Sequence, residues 1–218
     1  MIPIMETAAE YLDKTESAVK ILFDGIDAYF EVLRNEPSGV RSHSQGELPL
    51  HEYVQWAAEN PEKLQAAFEA QRSFVAESFA FATLCGAVLQ IAAKAIECYS
   101  MVDDVPEDCQ DWINSKQWVT ARPFCIGRRV HDVPIGLVIY AGRNQATHFN
   151  EKKLYGLNKT IFQRLSDRNP SILDKGQRDP SFDLSNPNLT IFADNITTLL
   201  GWRSFHEYNA DMRALLLK

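Results

Sequence analysis

The sequence predicts an all-α fold, a helical bundle of about five to seven helices with a small β-hairpin or strand near 117–141. The chain of 218 residues has room for one sizeable core. Its hydrophobic fraction of 45% and charged fraction of 23% are typical of a globular protein. Apolar residues recur at three- and four-residue steps over long segments, which is the period of an amphipathic helix. Because no internal repeat, low-complexity tract or linker divides the chain, we expect one domain over residues 1–218.

The first predicted helix lies near the N-terminus. Thr7 and Glu10 fit a capping box, and the apolar pattern that follows them ends near Arg34. A stop signal rich in Asn, Pro and Gly comes next, so a polar loop is expected to about residue 49. A short helix is predicted over 50–59.

A second long helix is predicted to begin at Pro61, because proline suits the first position of a helix. Its apolar arc is wide, which is typical of a central element. It is expected to end near Met101, before an acidic segment with a further short helix to about 116. Ser204 and Glu207 fit a capping box at the start of the last helix. The other predicted elements are a loop or small hairpin over 117–133, a buried strand or the first turns of a helix over 135–141, a helix over 142–166, a polar surface loop over 167–185, and closing helices over 188–200 and 204–216.

Charge is distributed unevenly along the chain. The whole sequence has a formal net charge of −7. Residues 1–113 hold 7 Lys and Arg against 20 Asp and Glu, whereas residues 114–168 hold 10 against 3. The basic middle section indicates a local anion site. Alternatively, its cations pair with the acidic helices of the first half and stabilise an intramolecular or dimer contact. The sequence favours neither interpretation.

Several classes of protein and of site are disfavoured by the sequence. The four cysteines form no C-x-x-C pair and have no histidine at ligand spacing, so we expect reduced thiols, no metal site and no cofactor. Motifs of nucleotide-binding loops, zinc proteases and serine hydrolases are absent. The longest apolar stretches, such as Ile135–Ala141, are far short of the ~20 residues of a membrane span. The N-terminus turns acidic before any apolar run develops, so we predict a cytoplasmic protein with no membrane partner.

One short motif lies inside the basic section. Arg143 and Asn144 are followed three residues later by His148, and the segment is predicted to be helical. Asn144 and His148 are four residues apart and share one helix face, which Arg143 flanks at about 140°. A guanidinium, an amide and a titratable base thereby lie within reach of one small volume. Alternatively, the motif is a helix N-terminus in which Asn144 is a local cap, Arg143 pairs with an acidic helix and His148 is half-buried.

These residue types fit the cleavage of a phosphodiester by its own neighbouring 2′-hydroxyl. The reaction needs a group that exchanges protons near neutrality, as histidine does, and a permanent cation against the charge that builds on phosphorus. Arginine suits the second role because its planar fork matches two phosphate oxygens. One histidine does not supply both the general acid and the general base that this reaction needs. Two copies facing each other across a two-fold axis would supply both.

The Arg-Asn-x-x-x-His motif on a late helix of an all-α chain resembles that of the higher eukaryotes and prokaryotes nucleotide-binding (HEPN) superfamily. Its members share a helical bundle, and many are metal-independent ribonucleases of toxin–antitoxin, phage-defence and RNA-processing systems. The resemblance implies that Arg143 and His148 are catalytic and that Asn144 is the polar residue that commonly follows the arginine. It implies a HEPN-like domain to which the loop over 167–185 and the two C-terminal helices are additions.

The resemblance also implies partners. They are RNA, a second copy of the chain that completes a composite active site, and an antitoxin or other regulatory protein. One toxin subgroup of the family carries a tyrosine two residues after the histidine, and modification of that tyrosine silences the toxin. Asn150 occupies this position here, so the resemblance does not imply control by that route.

Four residues near the motif are candidates for contacts with RNA: Arg128, Arg129, Lys152 and Tyr140. The cations would bind the RNA backbone and the ring would stack on a base. As structural residues they would form ordinary helix surface or intramolecular pairs. Two other functions stay open. One is a noncatalytic interaction module that binds a partner through the acidic first half, and the other is a nucleotide sensor in which Arg143 holds a phosphate without cleavage.

Overall fold

The computed structural model describes residues 6–35, 58–113, 118–150, 154–167, 178–185 and 191–217. The chain is mainly helical with one two-stranded antiparallel sheet, which confirms the predicted all-α bundle with a small hairpin. Strands β1 (Arg129–Val130) and β2 (Val133–Pro134) form the hairpin, and short 3₁₀ turns span Glu107–Cys109 and Val119–Phe124. The longer helices in this part of the chain are α1 (Ala8–Asn35), α2 (Pro61–Tyr99), α3 (Ile135–Thr147), α4 (Gly156–Asp167), α5 (Ala193–Leu200) and α6 (Phe205–Leu216).

The predicted starts of three helices are confirmed by their local chemistry. At α1, the N–H of Glu10 donates to Thr7 Oγ1 at 3.2 Å. Pro61 is the first residue of α2. At α6, Ser204 and Glu207 form the predicted capping box, in which the N–H of Ser204 donates to Glu207 Oε2 at 2.9 Å. Thr7, Ser204 and Glu207 each accept a bond from a backbone N–H that a helix start leaves without an intrahelical partner, and Pro61 has no N–H to satisfy at its position. These residue types allow helix starts to be located from sequence.

Helix α3 lies at the centre of the fold and packs against α2, α4 and α5. Two glycines permit these close crossings. A Cβ on Gly86 of α2 would lie 3.1 Å from the Cβ of Ala146, and one on Gly142 of α3 would lie 2.9 Å from Leu89 Cδ1. Most side chains of α3 are buried, so its C-terminal end is held in place from several sides.

The segment 135–141 is helical, which decides between the strand and the helix that the sequence left open. The single helix predicted over 142–166 is wrong, because α3 ends at Thr147 and α4 begins at Gly156. Gly156 has a φ of 55°, in the left-handed region that glycine adopts without strain, so the chain can turn into a new helix there. The motif therefore lies at the C-terminal end of one helix, whereas the helix predicted over 142–166 would have placed it at the start.

Other predicted elements differ in extent or lie outside the described residues. Part of the loop predicted over 167–185 is described, at 178–185, and it is not purely polar surface, since Phe182 is buried against Phe162 of α4. The helix predicted over 188–200 begins only at Ala193. The acidic segment after α2 contains the 3₁₀ turn Glu107–Cys109, and residues 114–117 lie outside the described part. The loop to 49 and most of the helix predicted over 50–59 also lie outside it.

One of the described helices is long and apolar enough to cross a membrane, judged by length and composition. It is the stretch Val75–Tyr99 of α2, whose most apolar window has a mean hydropathy of 1.7. This differs from the expectation that apolar stretches are too short, because a window average tolerates polar residues between the apolar ones. In the bundle, 44% of that window is buried, and the central helix of a globular core has the same composition. Cytoplasmic localisation stays a prediction.

Replacing Tyr208 by phenylalanine is expected to leave the free energy of unfolding unchanged or to raise it by about 1 kcal/mol. The Tyr208 hydroxyl is buried in α6 and has no hydrogen-bond partner among the residues that the structure describes. Burial raises the pKa of this hydroxyl well above its usual value. Urea denaturation followed by circular dichroism measures the effect. Tyr11→Phe is the matched control, because the Tyr11 hydroxyl donates to the Ile91 carbonyl at 3.1 Å. A loss of stability at Tyr208 as large as at Tyr11 would contradict the expectation.

Candidate functional site

The three motif residues lie at the C-terminal end of α3. Arg143 and Asn144 belong to its last turns, and His148 is the residue that caps it. The N–H of His148 donates to the carbonyls of Asn144 at 3.0 Å and Gln145 at 3.2 Å, which completes the helix. The alternative interpretation, in which Asn144 caps a helix N-terminus, does not fit this geometry. His148 is exposed and not half-buried, so its imidazole is accessible from outside the molecule.

Arg143 lies half-buried beside aromatic rings. Its guanidinium carbon is 5.8 Å from the centroid of the Tyr140 ring, which itself packs on Phe124 at 5.0 Å. A cation over an aromatic face is favoured by the charge distribution of the ring. The Nε atom of Arg143 is buried and has no hydrogen-bond partner among the described residues. A buried donor without a partner costs about 1–3 kcal/mol, and an anion bound beside it would remove that cost.

Asn144 is held by a residue that the motif does not contain. Its Nδ2 donates to Asn158 Oδ1 at 3.2 Å, which joins the last turn of α3 to the first turn of α4. No motif or spacing in the sequence indicates this contact. On the single helix predicted over 142–166, residues 14 positions apart would be separated by about 21 Å along the axis. Only the turn between α3 and α4 brings the two amides together.

Gln145, at a variable position of the motif, has a structural role. It is buried, and its Oε1 accepts the N–H of Phe192 at 3.0 Å, at the start of α5. This bond satisfies a backbone donor at the N-terminus of α5 and fixes the last turn of α3 against it. Because Gln145 faces the core, Asn144 and Arg143, one and two positions before it, lie on other faces of the helix.

The exposed side of the motif is partly apolar. Phe149 follows His148 and its ring packs edge-on against Phe79 of α2, with ring centroids 5.4 Å apart. Phe79 is 47% exposed and Phe149 is 41% exposed. His148 therefore directly precedes a phenylalanine whose ring belongs to a partly exposed aromatic pair.

The predicted RNA-contacting arginines both make intramolecular bonds. Arg128 donates from Nε and from a terminal nitrogen to the carboxylate of Asp211, at 3.1 and 2.8 Å, and to the carbonyl of Leu200 at 2.6 Å. The same carboxylate accepts from Trp202 Nε1 at 2.8 Å. Arg129 pairs with Asp108 and donates to Cys109 Sγ at 3.1 Å. Their part in RNA binding stays a prediction, and these bonds would compete with it.

The other two predicted RNA contacts are placed differently. Tyr140 is half-buried, with the guanidinium of Arg143 over its ring and the ring of Phe124 packed against it at 5.0 Å. Lys152 lies outside the described residues. Among the described cations of the basic section, Arg129 with Asp108 and Arg164 with Asp111 (3.8 Å) join that section to the acidic first half. Asp108 and Asp111 lie in and just after the 3₁₀ turn Glu107–Cys109, and not on the long acidic helices with which the alternative interpretation of the charge asymmetry pairs these cations.

The described residues contain no group of three or more His, Cys, Asp or Glu side chains that could hold a metal ion. The four cysteines form no disulfide, and three of them are buried. Burial raises the pKa of Cys85 and of Cys125 to about 12. Buried thiols of this kind act as small apolar side chains.

The end of α3 thus combines an exposed imidazole, a half-buried cation with an unsatisfied donor, and an amide pair. Phosphoryl chemistry uses a proton-exchanging group and a permanent cation, and the end of α3 carries one residue of each type. Comparisons with protein-family models, with curated proteins and with solved structures find no match to this chain.

Proposed function

We propose that this protein is a metal-independent endoribonuclease of the toxin–antitoxin or phage-defence type, as the HEPN resemblance implies. The observation that carries the proposal is the placement of Arg143, Asn144 and His148 together at one end of the central helix, with His148 exposed. The buried, unpaired Nε of Arg143 supports it, because that donor is suited to a phosphate oxygen.

In the proposed reaction, the 2′-oxygen of one nucleotide bonds to the adjacent phosphorus, and the bond from phosphorus to the 5′-oxygen of the next nucleotide breaks. The products are a 2′,3′-cyclic phosphate and a 5′-hydroxyl. One proton leaves the 2′-hydroxyl and one is delivered to the leaving 5′-oxygen, so no other reactant is consumed. His148 exchanges these protons, and Arg143 stabilises the negative charge on the phosphoryl oxygens.

A second copy of the chain completes the proposed site. The attacking and leaving oxygens lie on opposite sides of phosphorus, so one imidazole cannot serve both. Two copies related by a two-fold axis would place a His148 on each side. The exposed ring pair of Phe79 and Phe149 beside His148 offers apolar area for such a contact.

Incubation of the purified protein with a 5′-labelled RNA pool of mixed sequence, in the presence of EDTA, tests the proposal. We expect fragments that end in a 2′,3′-cyclic phosphate, identified by their mobility before and after acid and phosphatase treatment. The all-DNA version of the same pool is the control and should stay intact, because it lacks the attacking hydroxyl. Binding of RNA without any cleavage would instead support a nucleotide-sensing function for Arg143. If the protein neither cleaves nor binds RNA, the result would support a noncatalytic interaction module.

A further inference from the structure

The hydrogen bond between Asn144 and Asn158 determines which of the two side-chain amides keeps both of its N–H donors for another partner. Asn144 Nδ2 donates and Asn158 Oδ1 accepts, at 3.2 Å, and both side chains are half-buried. A primary amide is planar and carries two N–H donors on nitrogen and one acceptor oxygen. The bond therefore uses a donor of Asn144 and the oxygen of Asn158.

The amide nitrogen of Asn158 keeps both of its donors within the described part of the chain. Because the amide group is planar, the contact that fixes Oδ1 on Asn144 also fixes the direction of Nδ2. A phosphate oxygen accepts hydrogen bonds and cannot donate them, so a fixed pair of N–H groups is a suitable partner. Asn144 uses one of its two N–H donors in the bond to Asn158, which makes Asn144 the weaker candidate for binding a phosphate oxygen.

We propose that Asn158 binds the phosphate of the substrate through its amide nitrogen, and that Asn144 is a positioning residue that acts by orienting Asn158. This inference rests on the proposed nuclease function and deepens it, since it adds a residue of α4 to a site otherwise built from α3. Asn158 lies 14 positions after the motif asparagine that it contacts.

Steady-state cleavage of a short RNA by Asn158→Ala, Asn158→Asp and Asn144→Ala tests the assignment. In Asn158→Ala we expect KM to rise about tenfold with a smaller change in kcat, because the contact exists in both the bound substrate and the transition state. Asn158→Asp separates the two roles of the residue. Aspartate keeps an oxygen that accepts the hydrogen bond from Asn144. Its carboxylate has no N–H to donate to a phosphate, and its negative charge repels the phosphate. A purely structural role predicts that aspartate restores activity, whereas phosphate binding predicts a KM above that of the alanine variant.

The double variant Asn144→Ala/Asn158→Ala should behave as Asn158→Ala alone, because a positioning residue has no effect once its partner is gone. Gln163→Ala, an exposed amide further along α4, is the matched control and should cleave normally. Equal thermal unfolding midpoints among the variants show that the fold is intact.

The outcomes separate this inference from the proposed function. If the wild type cleaves RNA and Asn158→Ala or Asn158→Asp cleaves equally well, the inference is overturned and the nuclease proposal stands. If the wild type does not cleave, binding of a 2′-O-methyl RNA oligonucleotide is measured instead. Weaker binding by Asn158→Ala would then support phosphate contact without catalysis, and no binding by the wild type would overturn both proposals.

Discussion

Replacing His148 by alanine is expected to lower the rate of RNA cleavage by about 10³-fold or more, because the substitution removes the proton-exchanging imidazole from both copies of the chain in the proposed site. The fold should be unaffected, since the imidazole is exposed and the interaction that ends α3 is made by the backbone of His148. Single-turnover cleavage of a labelled RNA measures the rate, and the midpoint of thermal unfolding measures the fold.

His206→Ala is the matched control for this experiment. His206 is also exposed, and it lies in the first turn of α6, where its backbone N–H donates to Ser204 Oγ at 3.1 Å. Its side chain is not needed for that bond, so cleavage should continue at the wild-type rate. If His148→Ala and His206→Ala cleave equally well, the activity does not come from the motif.

Replacing Gly136 by alanine is expected to lower the free energy of unfolding by about 3 kcal/mol or more. A Cβ on Gly136 would lie 2.3 Å from the carbonyl oxygen of Phe124 and 2.9 Å from Ile126 Cγ2. The first of these atoms is backbone and cannot rotate away. The N–H of Gly136 also donates to the carbonyl of Ile126 at 3.1 Å, so the two segments are held together where the methyl group would be inserted.

Gly25→Ala in α1 is the comparison that makes this prediction sharp. In an ordinary helix interior, alanine is favoured over glycine by about 1 kcal/mol. The nearest atom to a Cβ on Gly25 is Leu84 Cδ1 at 3.1 Å, the far end of a flexible side chain. We therefore expect Gly25→Ala to change stability by less than about 1 kcal/mol in either direction. Urea denaturation measures the change in the free energy of unfolding for both variants. Equal changes would contradict the close contact between a Cβ on Gly136 and the carbonyl oxygen of Phe124.

The parts of the fold that follow from local chemistry could be predicted from the sequence. The starts of α1, α2 and α6 depend on a threonine, a proline and a serine at fixed places relative to the apolar pattern. The division between α3 and α4 could not be predicted, because apolar residues on both sides of it keep a helix-compatible spacing. The end of α3 is fixed instead by long-range contacts, such as the bond from Phe192 to Gln145.

The candidate site shows the same limit. Arg143 and His148 stand out in the sequence because their types and spacing suit one reaction. Asn158 has no such signal, since its role depends on a turn between helices that the pattern does not indicate. Arg128 and Arg129 stand out by charge, yet charge alone does not reveal that Asp211 and Asp108 lie beside them. Geometry among distant segments is what the sequence leaves undetermined.

The contacts of α6 have a consequence for how the chain is made. The ring of Tyr208 packs against Phe23 of α1 at 6.1 Å, and Arg213 binds Asp13, a residue 200 positions away. While the ribosome is still translating the last helix, the apolar face of α1 that will receive Tyr208 has no native cover. This apolar surface of α1 is synthesised early and is covered only after α6 has been synthesised. Nascent chains with such exposed apolar surface depend on chaperones and are prone to aggregate.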